Sequence, residues 1–298
     1  MKSFLTFANM SETIRTITNR AVKLLGNEYD EAEIKAIVRV IFEHLTGWDY
    51  THFVINYDSS LDTSISEKAT AIINRLQEGE PIQYIIGYEI FMGMKFSLNP
   101  STLIPRPETE ELVREIIDSD IKKGSIIDIG SGSGCIAISL AKNIPHATVH
   151  GCDISTKAIA QAKKNAELNG VKVDFRQIDI LHWEEYHFEK YDAIVSNPPY
   201  ITEQEKSEMD RRVLAHEPHT ALFVPDNKPL LFYERIADFG CRYLNHRGKL
   251  WFEINRAYGN ECCKMLAERG YSEVKLKQDS YGNDRIVSAI WMRKQSDI

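Results

Sequence analysis

Ser125-Ile126-Ile127-Asp128-Ile129-Gly130-Ser131-Gly132-Ser133-Gly134-Cys135 is the stretch on which the fold turns. Ser125–Ile129 is short, apolar and rich in isoleucine, so it reads as a buried strand. Three alternating glycines follow. They permit positive φ and let a ligand approach the backbone. The segment from Cys135 to Lys142 then reads as a helix, whose free N-terminal N–H groups and partial positive charge face whatever the turn holds.

Working outward, the same alternation repeats. Thr148–Cys152 reads as a strand and Ser155–Asn169 as a helix, and Val173–Gln177, Ala193–Ser196 and Lys249–Ile254 read as further strands. Alternation of this kind predicts an α/β domain with a mainly parallel sheet. The end of the chain differs. After a helix over Glu261–Arg269, the runs Ser272–Lys277 and Arg285–Met292 flank the turn-rich segment 279–284, which predicts an antiparallel pair.

Upstream the period is helical. Ile34, Ile37, Val38, Ile41, Phe42 and Leu45 form one apolar stripe between Asp30, a candidate N-cap, and Gly47, a C-terminal stop. Further helices are expected over Ser11–Leu25 and over Ile65–Glu78, the latter capped by Ser64. Tyr84–Ile86, Tyr88–Phe91 and Met94–Leu98 read as strands of a hairpin turning at Met92-Gly93. The expected organisation is a helical domain over 1–83, a hairpin linker over 84–104 and an α/β domain over 105–298.

Composition excludes several classes. The 298 residues carry 36 basic and 43 acidic groups, net −7. Residues 1–90 hold 8 Lys/Arg against 13 Asp/Glu, which disfavours a phosphate-gripping domain there. No apolar run approaches a membrane span, and Met1–Met10 lacks the small-residue cleavage site of a signal peptide. The five cysteines, an odd number without zinc spacing, suit reduced thiols in a cytoplasmic protein.

Two features narrow the ligand. Asp153 ends the strand after the glycine turn, where a carboxylate can take both hydroxyls of a ribose. The dinucleotide pattern G-x-G-x-x-G needs Gly at 135, where Cys135 stands. Asp128 beside the turn suits a ligand with a cationic end, as S-adenosylmethionine has. Asp179, after the next strand, is a candidate for the adenine amino group.

Asn197-Pro198-Pro199-Tyr200 follows the strand Ala193–Ser196. Two prolines end a central strand, and ligands bind at the carboxyl ends of such strands. The bend offers the Asn197 side chain and the Pro198 carbonyl as paired acceptors for an NH₂ group. Tyr200 can lay its ring against a planar amide or base.

Taken together, Asp128–Gly134 and Asn197–Tyr200 resemble class I S-adenosylmethionine-dependent methyltransferases that modify planar NH₂ groups. Two subfamilies share Asn-Pro-Pro-Tyr, one acting on adenine N6 and one on glutamine N5. Leu103–Glu110 (Leu-Ile-Pro-Arg-Pro-Glu-Thr-Glu), Glu217–Leu222, Tyr281–Arg285 and Glu80–Gly87 are similar to segments of the release-factor glutamine methyltransferases.

That resemblance implies a Rossmann-like sheet with a C-terminal antiparallel hairpin and an N-terminal helical bundle. It implies cofactor contacts from Gly130, Ser131, Gly132, Ser133, Gly134, Asp153, Asp179 and Asn197. It implies a substrate site at Asn197, Pro198, Pro199 and Tyr200, with Asn197, Pro198 and Tyr200 serving transfer. The implied substrate is the Gly-Gly-Gln glutamine of peptide-chain release factors 1 and 2, and S-adenosylhomocysteine is the product. No metal, nucleic acid or membrane is required, and a monomer is expected. Family members often place an aromatic residue after Asp179, whereas Ile180 stands here. Arg106 either touches substrate or pairs with a neighbour such as Glu108 or Glu110. An adenine-N6 methyltransferase and a silent S-adenosylmethionine sensor are the rival readings. A basic recognition region would favour the first, and the intact Asn-Pro-Pro-Tyr argues against the second.

Overall fold

The computed structural model describes residues 12–292, organised in two compact units divided between Ile86 and Gly87.

The first unit is helical: α1 (Ile14–Leu25), α2 (Glu31–Thr46), α3 (Tyr50–Ile55), α4 (Thr63–Gln77) and α5 (Ile82–Ile86). The stripe on α2 is its spine. Ile34, Ile41 and Phe42 are fully buried among Ile14, Ile17 and Ile73 from α1 and α4. Burying each such side chain contributes about 1.5–3 kcal/mol. Asp30 caps α2 by accepting from the Glu33 N–H at 2.8 Å, and Gly47 ends it at φ 71°.

Three expectations change here. The start at Ser11 lies outside the described residues, and within them Thr13 caps α1. Asp62, not Ser64, caps α4, because its carboxylate accepts from the Ser64 N–H. Tyr84–Ile86, read as a strand, is the end of α5. Pro81 starts that turn, and its carbonyl accepts from the Tyr84 and Ile85 N–H groups.

The second unit opens with a hairpin, β1 (Tyr88–Phe91) and β2 (Met94–Ser97), then α6 (Pro107–Asp118). There follow β3 (Gly124–Ile129), α7 (Cys135–Asn143), β4 (Ala147–Asp153), α8 (Thr156–Asn169), β5 (Asp174–Gln177) and β6 (Tyr191–Ser196). The rest is β7 (Ile201–Thr202), α9 (Arg211–His216), β8 (Phe223–Val224), α10 (Leu231–Tyr243), β9 (Leu244–Glu253), α11 (Gly259–Glu268), β10 (Tyr271–Gln278) and β11 (Asp284–Trp291). Seven strands form one sheet in the order β10-β11-β9-β6-β3-β4-β5. β3 pairs parallel with β4 and β6, and β11 runs antiparallel to both its neighbours.

Alternation along the strands divides the core. Ile127, Ile129 and Ile194 pack on one face with α10 and α11 residues, while Ile126, Ala193 and Val195 pack on the other with α6, α7 and α8 residues. The hairpin, expected as a linker over 84–104, belongs to this unit's structure. The Asn165 side chain on α8 pairs with the Ser97 backbone in both directions, at 2.8 and 3.0 Å. Among the described residues no helix is long and apolar enough to cross a membrane.

Candidate active site

The chain leaves β3 inside the sheet, winds to β4 and β5 on one side, and returns to β6 on the other. Such a reversal opens a crevice at the carboxyl ends of the strands. A cavity of about 340 Å³ lies there, lined by Gly130 and Gly132, Asp153, Asp179, Asn197 and both Pro198 and Pro199. Its volume is that of a small-molecule site.

The glycine turn is tied down by its own backbone: the Gly130 and Ser131 N–H groups donate to the Cys152 carbonyl at 2.8 and 2.9 Å. Gly130 and Gly132 adopt φ of 77° and 52°, the left-handed region that favours glycine. Of the nominated turn residues, only these two line the cavity. Ser131 and Ser133 are buried away from it. The Ser131 hydroxyl donates to the Asp128 carbonyl at 3.0 Å, and the Ser133 carbonyl accepts from Asn165 Nδ2 at 2.9 Å. A Cβ on Gly134 would stand 2.9–3.1 Å from Ile138, Phe175 and Ala162, so this glycine lets α7 close on α8 and β5.

Asp128 also departs from expectation. It points to the same sheet face as Ile126, is fully buried and does not line the cavity. Its Oδ2 accepts from the Ala137 N–H in the first turn of α7 at 3.3 Å, while Oδ1 has no hydrogen-bond partner among the described residues. Burial pushes its carboxyl up to about 7.

Asp153 sits at the end of β4. Its Oδ2 accepts from the Gly132 N–H and its Oδ1 from the Ser155 N–H, each at 2.9 Å. Burial raises this carboxyl, and those N–H groups pull it back. Asp179 lines the cavity but also caps the following turn, accepting from the Leu181 N–H at 2.9 Å and pairing with His182 Nδ1 at 2.7 Å. Ile180 lines the wall beside it, and aromatic rings come from elsewhere: Phe223, on β8, and Phe232, on α10. No strand or turn signal marked that helix.

Asn197, Pro198, Leu103 and Ala221 also line a second cavity of about 160 Å³, with Tyr200 and Arg106 in its wall. The Asn197–Pro198 bend is therefore shared by both cavities. Asn197 Nδ2 donates to Thr109 Oγ1 at 3.2 Å, so the group left to offer a ligand is Oδ1. Thr109 Oγ1 donates to Glu253 Oε2 at 2.6 Å, and the Tyr200 hydroxyl donates to Glu253 Oε1 at 3.3 Å. Burial raises Glu253, and the bond from Thr109 and the charge of Arg285 oppose that. Burial also pushes the Tyr200 phenol up.

Arg106 pairs with neither Glu108 nor Glu110. Its Nη2 donates to Glu217 Oε1 at 2.6 Å, and the Ile104 N–H donates to Glu217 Oε2 at 3.1 Å. The Pro-Arg-Pro and Glu-Pro segments, far apart in sequence, are thus fastened to each other. Thr109, Glu253, Glu217 and Phe232 were not nominated as site residues. Thr109 and Glu217 lie inside the segments that carry the family resemblance, and Glu253 lies inside the expected strand Lys249–Ile254.

A seven-stranded sheet with one reversed strand, β11, next to its edge, a glycine turn after β3 and Asn-Pro-Pro-Tyr after β6 define a class I methyltransferase. The Methyltransferase small domain family model matches residues 108–222, and the PrmC N-terminal domain model matches residues 16–87. A release factor glutamine methyltransferase from Flavobacterium psychrophilum is 44% identical over 279 residues, covering 92% of this chain and 98% of that one. Another from Bacteroides thetaiotaomicron is 46% identical over 265 residues, covering 89% and 95%. The chain belongs to the release factor glutamine methyltransferase family.

Proposed function

We propose that this chain transfers a methyl group from S-adenosylmethionine to the side-chain amide nitrogen of the glutamine in the Gly-Gly-Gln motif of bacterial class 1 release factors. The observation that carries the reading is the Asn197–Pro198 bend standing between two cavities, one beside the carboxylates of Asp153 and Asp179 and one beside Tyr200.

The first cavity fits the cofactor chemically. Ile129, Ile178, Ile180 and Phe232 supply apolar walls for an adenine and a thioether chain. Asp153 accepts from the ribose hydroxyls, Asp179 faces the adenine amino group, and the open backbone at Gly130 and Gly132 receives the amino-acid end. The remaining nominated turn residues, Ser131, Ser133 and Gly134, act by bracing that backbone. When bound, S-adenosylmethionine supplies a methyl group already activated on a sulfonium.

An amide nitrogen is a poor nucleophile because its lone pair is delocalised. The chain's task is therefore positioning. Asn197 Oδ1 and the Pro198 carbonyl accept the two amide hydrogens, which aims the nitrogen at the methyl group. These acceptors also favour the positive charge that builds on nitrogen during transfer. Tyr200 and Pro199 hold the plane of the amide, and the proton leaves to water.

Residues 105–298 carry this chemistry. The helical unit, acidic and apolar-cored, recognises a second surface of the release factor, and a tethered second contact raises affinity through effective concentration. The reading takes release factors 1 and 2 as partners, the cytoplasm as the setting, and a monomer that needs neither nucleic acid nor membrane.

Mass spectrometry of a purified release factor incubated with the chain and S-adenosylmethionine tests it. One added methyl group on the Gly-Gly-Gln glutamine is expected. Label from the cofactor in adenine of DNA or RNA, with none on the release factor, would overturn it.

A further inference from the structure

Asn197 faces an ambiguity that its own chemistry cannot resolve. Its amide can present an oxygen or an NH₂ group to the same spot after a half-turn about its last bond. Only the oxygen can accept from a substrate NH₂ group. The other orientation sets donor against donor.

We propose that Thr109, held by Glu253, is a positioning residue that keeps the Asn197 amide turned with its oxygen toward the substrate. The inference rests on the proposed NH₂ substrate and adds how its acceptor is oriented. The argument is one of hydrogen counting. A threonine hydroxyl has one hydrogen to donate, whereas an ionised carboxylate only accepts. Thr109 donates its hydrogen to Glu253 Oε2 at 2.6 Å, so toward Asn197 it has only lone pairs. Those lone pairs receive Asn197 Nδ2 at 3.2 Å, and Oδ1 is left for the ligand.

Burial makes the selection firm. Thr109 is 2% exposed and Glu253 1%, so water does not compete for either group. Glu253 is itself held from the other side by the Tyr200 hydroxyl at 3.3 Å. The chain Asn197–Thr109–Glu253–Tyr200 thus begins and ends on the Asn-Pro-Pro-Tyr segment. It closes through α6 and the end of β9. A half-turn of Asn197 would put its oxygen against the lone pairs of Thr109 and lose the bond between them, and in the bound state it would set the Asn197 NH₂ against the substrate NH₂.

The test uses the full chain with Thr109→Val, Thr109→Ser and Glu253→Gln, a short Gly-Gly-Gln peptide, and asparagine-labelled protein. Thr109→Val should lower kcat by about tenfold or more, as for a lost transition-state contact, with S-adenosylmethionine affinity within about twofold of wild type. Thr109→Ser, which keeps the hydroxyl, should stay within about threefold in kcat. Glu253→Gln can offer Thr109 a donor and so permits the reversed chain; it should fall between the two. The side-chain amide resonances of Asn197, read without substrate, should move in Thr109→Val and stay in Thr109→Ser.

Should Thr109→Val strand the Glu253 charge and fail to fold, the double variant Thr109→Val/Glu253→Gln removes that charge and is read the same way. Full kcat in the valine variant, or equal losses in valine and serine, would overturn the proposal. If the wild-type chain leaves both the peptide and the intact release factor unmethylated, the functional reading fails instead. The Asn197 resonances then decide the relay alone, and no movement in Thr109→Val overturns it.

Discussion

The helical unit and the carboxyl edge of the sheet bury different kinds of atoms. Among the described residues of the helical unit, the residues buried as polar ones are Thr18 and Ser66, and no carboxylate is buried. Among its described residues the sheet unit buries four carboxyl groups, Asp128, Glu217, Glu253 and Asp279. Taking a charge out of water costs several kcal/mol unless partners compensate it. Here the partners are Ala137 N–H for Asp128, Arg106 for Glu217, Thr109 and Tyr200 for Glu253, and Arg285 for Asp279, and those of Glu217 and Glu253 fasten the segments around the site. The helical unit spends its burial on stability and the sheet unit on geometry. Changes in the two should therefore separate cleanly in experiment.

The largest separation is expected at Asn197. Asn197→Ala should reduce methyl transfer by about 100-fold or more while cofactor affinity changes little, since the acceptor faces the substrate. A tritium-transfer assay beside calorimetry reads both, and turnover near wild type removes the positioning mechanism.

Asp153→Ala should act in the opposite sense. Losing charge-assisted bonds worth about 1.5–3 kcal/mol lowers S-adenosylmethionine affinity by roughly 10- to 150-fold. The same carboxylate braces the Gly132 N–H, so the loop loosens as the ribose contact goes. Unchanged affinity by calorimetry would take Asp153 out of the site.

Removing the helical unit sharpens the comparison further. The chain cut back to residues 87–298 should keep its cofactor affinity. It should lose roughly tenfold in activity on intact release factor and much less on a Gly-Gly-Gln peptide, as lost effective concentration requires. Equal losses on both substrates would assign the unit to catalysis.

The smallest effect concerns Asp128. Its carboxyl is raised in the folded protein, so between the ordinary carboxylate range and about 7 the unfolded chain holds fewer protons than the folded one. Stability therefore falls as pH rises through that window and levels above it. Asp128→Asn cannot ionise. Its stability relative to wild type should therefore rise from pH 5 to pH 8. Parallel melting curves across that range would show the reverse.

The elements of the sheet were legible because their signals are local. The β3 run, the alternating glycines and the helix after them lie within a dozen residues, and the expected strands agree with the observed ones to within a few residues at most ends. Lys249–Ile254 is the exception. Its strand begins at Leu244, which pairs with Tyr191, and residues 245–248 bulge out before pairing resumes at Lys249. The helices α6 and α10 were not delineated, and Tyr84–Ile86 was misread, because runs of isoleucine serve a buried helix as well as a strand.

At the site the division is sharper. Asp153, Asn197 and the proline bend could be nominated because each closes a strand, and strand ends point into the crevice. What those residues touch could not be read in the same way. Arg106 meets Glu217 across 111 residues, Thr109 meets Asn197 across 88 and Glu253 across 144. Asp128 turns from the crevice because its parity along β3 sends it under α7. Periodicity and turn chemistry act over a few neighbours, so they survive in the chain as written. Hydrogen-bond partners are chosen by which strand ends the sheet order brings together, and that order exists only once the sheet has formed.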